Sequence, residues 1–408
     1  MRKESLLLGG EWVEGDAGSR ELRDRYSDAV VAAIGQASPE QARQAVIAAR
    51  TAFEAGPLEP DQRARVLMEA ATLLGQRREA VIDDLVTETG YPIADARNEY
   101  ERCLRTLQLC GEEAKRIHGE CVPIDAAPGQ RGRFGFTLRV PRGVVCAITP
   151  FNAPLNTVSH KIGPALAAGN AVVLKPAEQT PVSANHLARA LMDAGLPPGF
   201  LNVVHGPGEV VGDVLLDDPD IDFYGFTGST AVGALIRQRI GLRPASLELG
   251  SISSTFVCAD ANLDRALPRI LNAAFRKGGQ VCTSIQRLYV ERAIVEDVQD
   301  RLVEALAPLS AGDPRAPGTF VGPLITLADA ERVEQWIEEA LTAGARRLLG
   351  GPRVGSVVPP TVLLDVPPEC RIFSREGLGA GINLVCFDDL EAAMAEANAT
   401  RYGLAAGR

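Results

Sequence analysis

Phe275-Arg-Lys-Gly-Gly-Gln-Val-Cys-Thr-Ser-Ile-Gln-Arg287 is the stretch around which this chain is organised. It sets one thiol, Cys282, behind two glycines and a glutamine and just ahead of Leu288-Tyr-Val290, an apolar run that reads as a strand. Glycine lets a backbone turn sharply and approach a ligand closely. A thiol on such a turn is open to substrate and near backbone N–H donors, which suits a covalent nucleophile attacking a carbonyl. The bland alternative is a buried structural cysteine, the usual fate of a free Cys.

Upstream, strand and helix alternate. Val144–Ile148, Ala171–Leu174, Leu201–Val204 and Phe223–Phe226 are apolar strand runs, with helical patterns near 155–168, 181–194, 208–217 and after Ser229. Buried strands alternating with amphipathic helices predict a parallel α/β sheet, whose ligands gather at the carboxyl ends of the strands. The unusual residue clusters fall at those ends. Asn152 sits between two prolines in Thr149-Pro-Phe-Asn-Ala-Pro154, where a constrained amide could stabilise an oxyanion, with an ordinary turn asparagine as the alternative that this cluster alone favours. Lys175 and Glu178 follow the second strand, placed to meet ribose hydroxyls, with a surface ion pair as the alternative. Gly206, Gly208 and Gly212 form a loose glycine pattern, and Thr227-Gly228-Ser229 opens a helix that could hold a phosphate. In Leu247-Glu-Leu-Gly250, Glu248 alternates with leucines and points away from the face they bury; at a domain boundary a partly buried carboxylate would make a general base, with a solvated strand glutamate as the equal alternative.

The α/β rhythm resumes after residue 249, with strands at 254–258 and 286–291 and helices at 262–275, 294–306 and 327–343. The first third reads as helical. Ser38-Pro-Glu-Gln41 is a capping box, and further helices fall at about 61–76, 79–88 and 93–117. Residues 119–142, with Pro128-Gly129 between two extended runs, read as a long projecting hairpin.

Composition narrows the function. The 408 residues carry 42 Lys+Arg against 52 Asp+Glu, a net charge of −10, which argues against nucleic acid or an anionic membrane as main partner. The eight cysteines have no C-x-x-C spacing and no paired histidines nearby, so no metal site is expected and the thiols read as reduced. The apolar Leu6–Leu8 run is too short for a signal peptide, and a cytoplasmic location is the expectation.

Taken together, and in this order, the PFN, KPAE, LELG and GQVC clusters resemble the aldehyde dehydrogenase superfamily, over essentially the whole chain from Gly10-Glu-Trp12 to Tyr402-Gly-Leu-Ala-Ala-Gly407. The resemblance implies two Rossmann-like parallel α/β domains and a β-hairpin oligomerisation arm. The cofactor domain would be 1–118 with 143–248, the arm 119–142 and the catalytic domain 249–408. It also implies that Cys282 attacks the aldehyde, that Asn152 and the Cys282 N–H hold the oxyanion, and that Glu248 activates the water that hydrolyses a thioester. The cofactor would be NAD, with NADP accepted by some members, held by Thr149, Pro150, Phe151, Lys175, Glu178, Gly208, Gly212, Phe226, Thr227, Gly228, Ser229, Leu249 and Glu376. A homodimer or homotetramer acting on a small aldehyde is implied. The Phe151–Lys161 and Cys282–Arg287 segments resemble the branch acting on small hydroxylated or anionic aldehydes, with Arg102, His160 and Thr283 as substrate candidates; the alternative is a solvated helix charge for Arg102 and a packed helix residue for His160.

Three features depart from the family pattern. Ser251 stands where a second glycine is usual. Leu378 lies in Glu376-Gly-Leu-Gly-Ala380, where an aromatic and a proline usually flank the glycine. The chain stops at Arg408, where family members continue for some tens of residues. Two further readings follow: a protein that binds cofactor without catalysis, and an enzyme acylating coenzyme A, against which the presence of Glu248 argues.

Overall fold

The computed structural model describes residues 1–408 and places them in two large sheets and three small ones. From edge to edge the first large sheet runs Ala245–Glu248, Phe223–Thr227, Val144–Ile148, Ala171–Lys175, Leu201–Val203, Leu6–Leu8 and Glu11–Val13. The first five strands are parallel and the last two join antiparallel. All five residues of Ala171–Lys175 are buried, which is why that run shows no polar alternation. The helices Asn156–Ala167, Pro181–Asp193 and Thr230–Ile240 connect its parallel strands. A core of 56 buried residues, all between Leu6 and Ile240, fills the layers.

The second large sheet runs Arg346–Leu349, Thr361–Leu364, Gly381–Phe387, Ile285–Glu291, Ser253–Val257 and Ala406–Gly407, parallel except at its first pair. It has its own core of 18 residues, with a further 13 packed around Trp336 and Phe373.

The helix starts follow their sequence signals. Ser38 Oγ accepts the Gln41 N–H at 3.2 Å and Gln41 Oε1 accepts the Ser38 N–H at 3.1 Å, opening the helix Pro39–Glu54. Gly90, at φ +75°, ends the helix Arg78–Thr89, a conformation that costs a residue with a side chain more.

Three expectations need correction. The hairpin at 119–142 pairs only Cys121–Val122 with Gly135–Phe136, around a short turn at Ile124–Ala126. Pro123 and Pro128 lack the N–H a longer ladder needs, and Phe134, Phe136, Leu138 and Val140 stay exposed. The single helix expected at 208–217 is two pieces, a wide turn at Gly208–Gly212 and a helix at Asp213–Asp217. A three-stranded sheet of Arg2–Glu4, Val30–Gly35 and Ser19–Arg23 was unread: its two outer strands are short and charged, and they flank the one apolar run, Val30–Gly35.

Candidate active site

The parallel strands of the first sheet all end on one edge, and their end loops face the turn that carries Cys282. Val144–Ile148 delivers Thr149–Asn156, Ala171–Lys175 delivers Pro176–Thr180, and Phe223–Thr227 with Ala245–Glu248 delivers Gly228 and Leu249. Across the cleft, Lys277, Gly278 and Gly279 take φ values of +55°, +66° and +73°, a left-handed run that wraps the chain before Gln280. Gly279 lies so close to the Gly379 carbonyl that a Cβ would not fit. A tight turn, with the Ser284 N–H on the Val281 carbonyl at 2.8 Å, then presents Cys282, half-buried.

Asn152 is joined to that turn directly. Its Nδ2 donates to the Gln280 carbonyl at 2.7 Å, leaving the second amide hydrogen free. Its own carbonyl accepts two bonds at 2.9 Å, from Tyr91 Oη and from Lys277 Nζ. Lys277 Nζ also meets Glu99 Oε2 at 2.6 Å, and its backbone N–H donates to Asp95 Oδ2 at 2.8 Å. Glu99 Oε1 accepts the Asn156 N–H at 2.8 Å, so one carboxylate on the helix Ile93–Ala114 ties both loops. Gln280 closes the frame, donating to the Lys277 carbonyl and accepting the Ile325 N–H.

The Cys282 thiol is pushed up from the ordinary thiol range, first by burial and then by the Glu376 carboxylate. The backbone N–H groups of Thr283 and Cys282 oppose this by bonding the sulfur. Glu376 rests on the backbone at Gly250, too close for a Cβ there, and accepts the Ser251 N–H at 3.2 Å; burial raises its own pKa. Leu378 adopts φ +44° and lines, with Ser251, Val281 and Glu376, a small cleft beside the turn that carries the thiol.

Glu248 is exposed at its strand end, the solvated glutamate of the two readings rather than the partly buried one. The reason is topological: Ala245–Glu248 is the edge strand of its sheet, so one flank faces solvent. Its carboxylate holds up the pKa of Lys161, which burial lowers, and Lys161 Nζ lies 3.3 Å from the Phe226 carbonyl.

At the other end of the cleft, Lys175 is 6% exposed, so it is not half of a surface ion pair; Glu178 instead bonds Arg20 Nη1 at 2.9 Å. Burial lowers the Lys175 pKa and Glu178 opposes the shift. Gly208 and Gly212 have open space where a Cβ would stand. Ser229 Oγ accepts the Val232 N–H at 3.3 Å and caps Thr230–Ile240, its proton free for a further partner. Thr149 Oγ1 and Ser251 Oγ are buried with no partner. Pro150 and Phe151 are part-buried beside Asn152, Phe226 is buried, and Thr227 and Leu249 are half-buried at the ends of their strands. Orphan hydroxyls, an open glycine turn, a buried ammonium and a capped helix start suit a dinucleotide with an anionic centre.

Of the substrate candidates, Thr283 is beside Cys282. Arg102 and His160 are exposed and stand near each other, away from Cys282's own hydrogen bonds. His160 Nε2 lies 3.3 Å from Thr106 Oγ1; partial burial, then Arg102, lowers its pKa. Arg276 was not singled out from sequence. Its Nη2 approaches Thr283 Oγ1 at 3.4 Å and its Nε is buried without a partner. Its place six residues before Cys282 was the available signal. Glu99 and Tyr91 carried none.

Residues 12–407 match the model of the aldehyde dehydrogenase family. A 3-sulfolactaldehyde dehydrogenase of Priestia megaterium is 44% identical over 407 residues, covering 100% of this chain and 85% of the relative. An NADP-dependent succinate-semialdehyde dehydrogenase of Escherichia coli is 34% identical over 411 residues, covering 99% and 84%. The NADP complex of a glyceraldehyde-3-phosphate dehydrogenase from Bacillus halodurans superposes with a TM-score of 0.96 at 33% identity, covering 100% of this chain and 86% of that one. No helix is long and apolar enough to cross a membrane.

Proposed function

This chain belongs to the aldehyde dehydrogenase family, and on that footing we propose that it oxidises a small anionic aldehyde to the carboxylate, with NAD or NADP as hydride acceptor. The observation that carries the mechanism is the 2.7 Å bond from Asn152 Nδ2 to the Gln280 carbonyl, because it ties the amide to the turn that presents Cys282.

Cys282 reacts as the thiolate, its sulfur adding to the aldehyde carbon. The oxygen that gains charge is met by the free hydrogen of Asn152 Nδ2 and by the Cys282 N–H. A nicotinamide held through its ribose by Glu376 would supply the hydride acceptor for this carbon. Glu248, exposed beside Lys161, takes a proton from the water that attacks the resulting thioester; the C–S bond breaks and the carboxylate leaves. Lys175 and Glu178 would hold the adenosine ribose, Ser229 the pyrophosphate and Glu376 the nicotinamide ribose.

Arg276 supports the anionic substrate, since a partly unsatisfied guanidinium next to Thr283 is a partner for a carboxylate, sulfonate or phosphate. The names of the relatives, which act on sulfolactaldehyde and succinate semialdehyde, agree with that charge. Residues 1–118 with 143–248 would form the cofactor unit and 249–408 the catalytic unit. The exposed apolar side chains of 134–140 would pair copies of the chain, as a cytoplasmic homo-oligomer.

The test is a panel of aldehydes with and without an anionic group. Wild type should produce NADH fastest from the anionic members. Cys282→Ala should abolish turnover, and Arg276→Gln should lower kcat/KM by about tenfold for anionic aldehydes, while sparing neutral ones. Turnover that needs coenzyme A, or equal rates for charged and neutral aldehydes, would contradict the proposal.

A further inference from the structure

The three-stranded sheet at the chain start reaches the cofactor end of the cleft with two arginines. Arg25, from the loop after Ser19–Arg23, bonds the carbonyls of Glu88 and Gln179, and so fixes the 176–180 loop from behind. Arg20 comes from the strand itself and bonds Glu178 Oε2 at 2.9 Å, 158 positions away in sequence. Its side chain is 49% exposed and that of Glu178 is 30% exposed, so the pair is in contact with solvent.

That contact bears on which adenosine ribose fits. A lone glutamate at this place suits a free 2′-hydroxyl and repels a 2′-phosphate. Here Arg20 cancels the charge of Glu178, and Lys175 stands behind it, buried and unpaired by Glu178. Glu209, exposed, also acts on Lys175 by its charge. A half-exposed ion pair is worth at most about 1 kcal/mol, so its arginine is released cheaply. A phosphate dianion is a stronger, bidentate partner for a guanidinium than one carboxylate oxygen.

We infer that Arg20 is a specificity-determining residue that opens the adenosine end of the cleft to 2′-phosphorylated dinucleotides: facing a 2′-hydroxyl it pairs with Glu178, and facing a 2′-phosphate it turns to the phosphate. The chain would therefore accept NADP as well as NAD. This rests on the reading of Lys175 and Glu178 as the ribose site.

The experiment is calorimetric titration of the full chain with NAD, NADP and 2′,5′-ADP, without aldehyde, on wild type, Arg20→Gln and Glu178→Gln. Wild type should bind NAD and NADP within about tenfold of each other, and 2′,5′-ADP as well. Arg20→Gln should move the ratio of affinities toward NAD by about tenfold, the loss of one charge-assisted hydrogen bond. Glu178→Gln should move it toward NADP. A thermal melt of each variant separates a binding change from unfolding. NAD binding with no detectable 2′,5′-ADP binding, or the same affinity ratio in wild type and a folded Arg20→Gln, would overturn the inference alone. Failure of every nucleotide to bind would overturn both it and the ribose-site reading.

Discussion

Lys277 and Glu99 meet at 2.6 Å with their side chains 8% and 1% exposed; Arg20 and Glu178 meet at 2.9 Å with theirs 49% and 30% exposed. Both pairs bridge segments far apart in the chain, and both touch a loop that ends a strand of the first sheet. Their surroundings give them different work. Buried charges need every bond they can make, and Lys277 spends its own on Glu99 and the Asn152 carbonyl while Tyr91 stacks beneath it at 4.9 Å. That fixes the position of the amide beside Cys282. The exposed pair is screened and exchanges partners easily, which fits it to choose between ligands rather than hold a shape.

The largest effect should come from breaking the buried pair. Lys277→Met should destabilise the fold by about 3–5 kcal/mol in denaturant melts, because Glu99 is left buried and unpaired. Replacing both, as Lys277→Met with Glu99→Met, should recover much of that stability and still leave a low kcat, since Tyr91 alone then holds the Asn152 carbonyl. Recovery of stability and rate together would make the pair purely structural.

Asn152→Ala removes the amide and leaves the frame. The expected loss is about 10²–10³ in kcat with little change in KM. A change in KM alone would move Asn152 from the transition state to simple binding.

The thiol gives a pH test. Burial and Glu376 raise the Cys282 pKa, so the thiolate fraction grows only as pH rises past the ordinary thiol range. Alkylation of Cys282 by iodoacetamide should accelerate toward alkaline pH, and Glu376→Gln should shift that profile to lower pH by removing a nearby negative charge. An unchanged profile would show that burial alone sets the reactivity. The smallest effect belongs to Arg20→Gln, which should change stability by less than about 1 kcal/mol in the same melts.

Much of the fold was legible in local pattern. The capping box at Ser38–Gln41 and the apolar runs at 144–148 and 171–175 announce themselves because capping and full burial leave marks on neighbouring residues. The strands Thr361–Leu364 and Gly381–Phe387 were not read: the first has only four residues, and the second follows the glycine-rich run Gly377–Gly381 that breaks the local pattern. The site was legible where chemistry concentrates in a few adjacent residues, as around Cys282 and Asn152. It was not legible where it depends on distance. Glu99 lies 178 positions before Lys277 and looks like any helical glutamate, and Arg20 looks like an exposed strand charge. For Glu248 the sequence left partial burial and solvation open, because alternation reports which face a side chain takes but not whether its strand is at an edge.

The most direct test of the central claim, that Cys282 carries the acyl group, is mass spectrometry of the Glu248→Gln variant after one turnover with an anionic aldehyde and NAD. With the water-activating carboxylate removed, the acyl group should accumulate as a thioester on the peptide containing Cys282, matched by one equivalent of NADH. A stoichiometric burst of NADH with no adduct on that peptide, or with the adduct on another cysteine, would contradict the account.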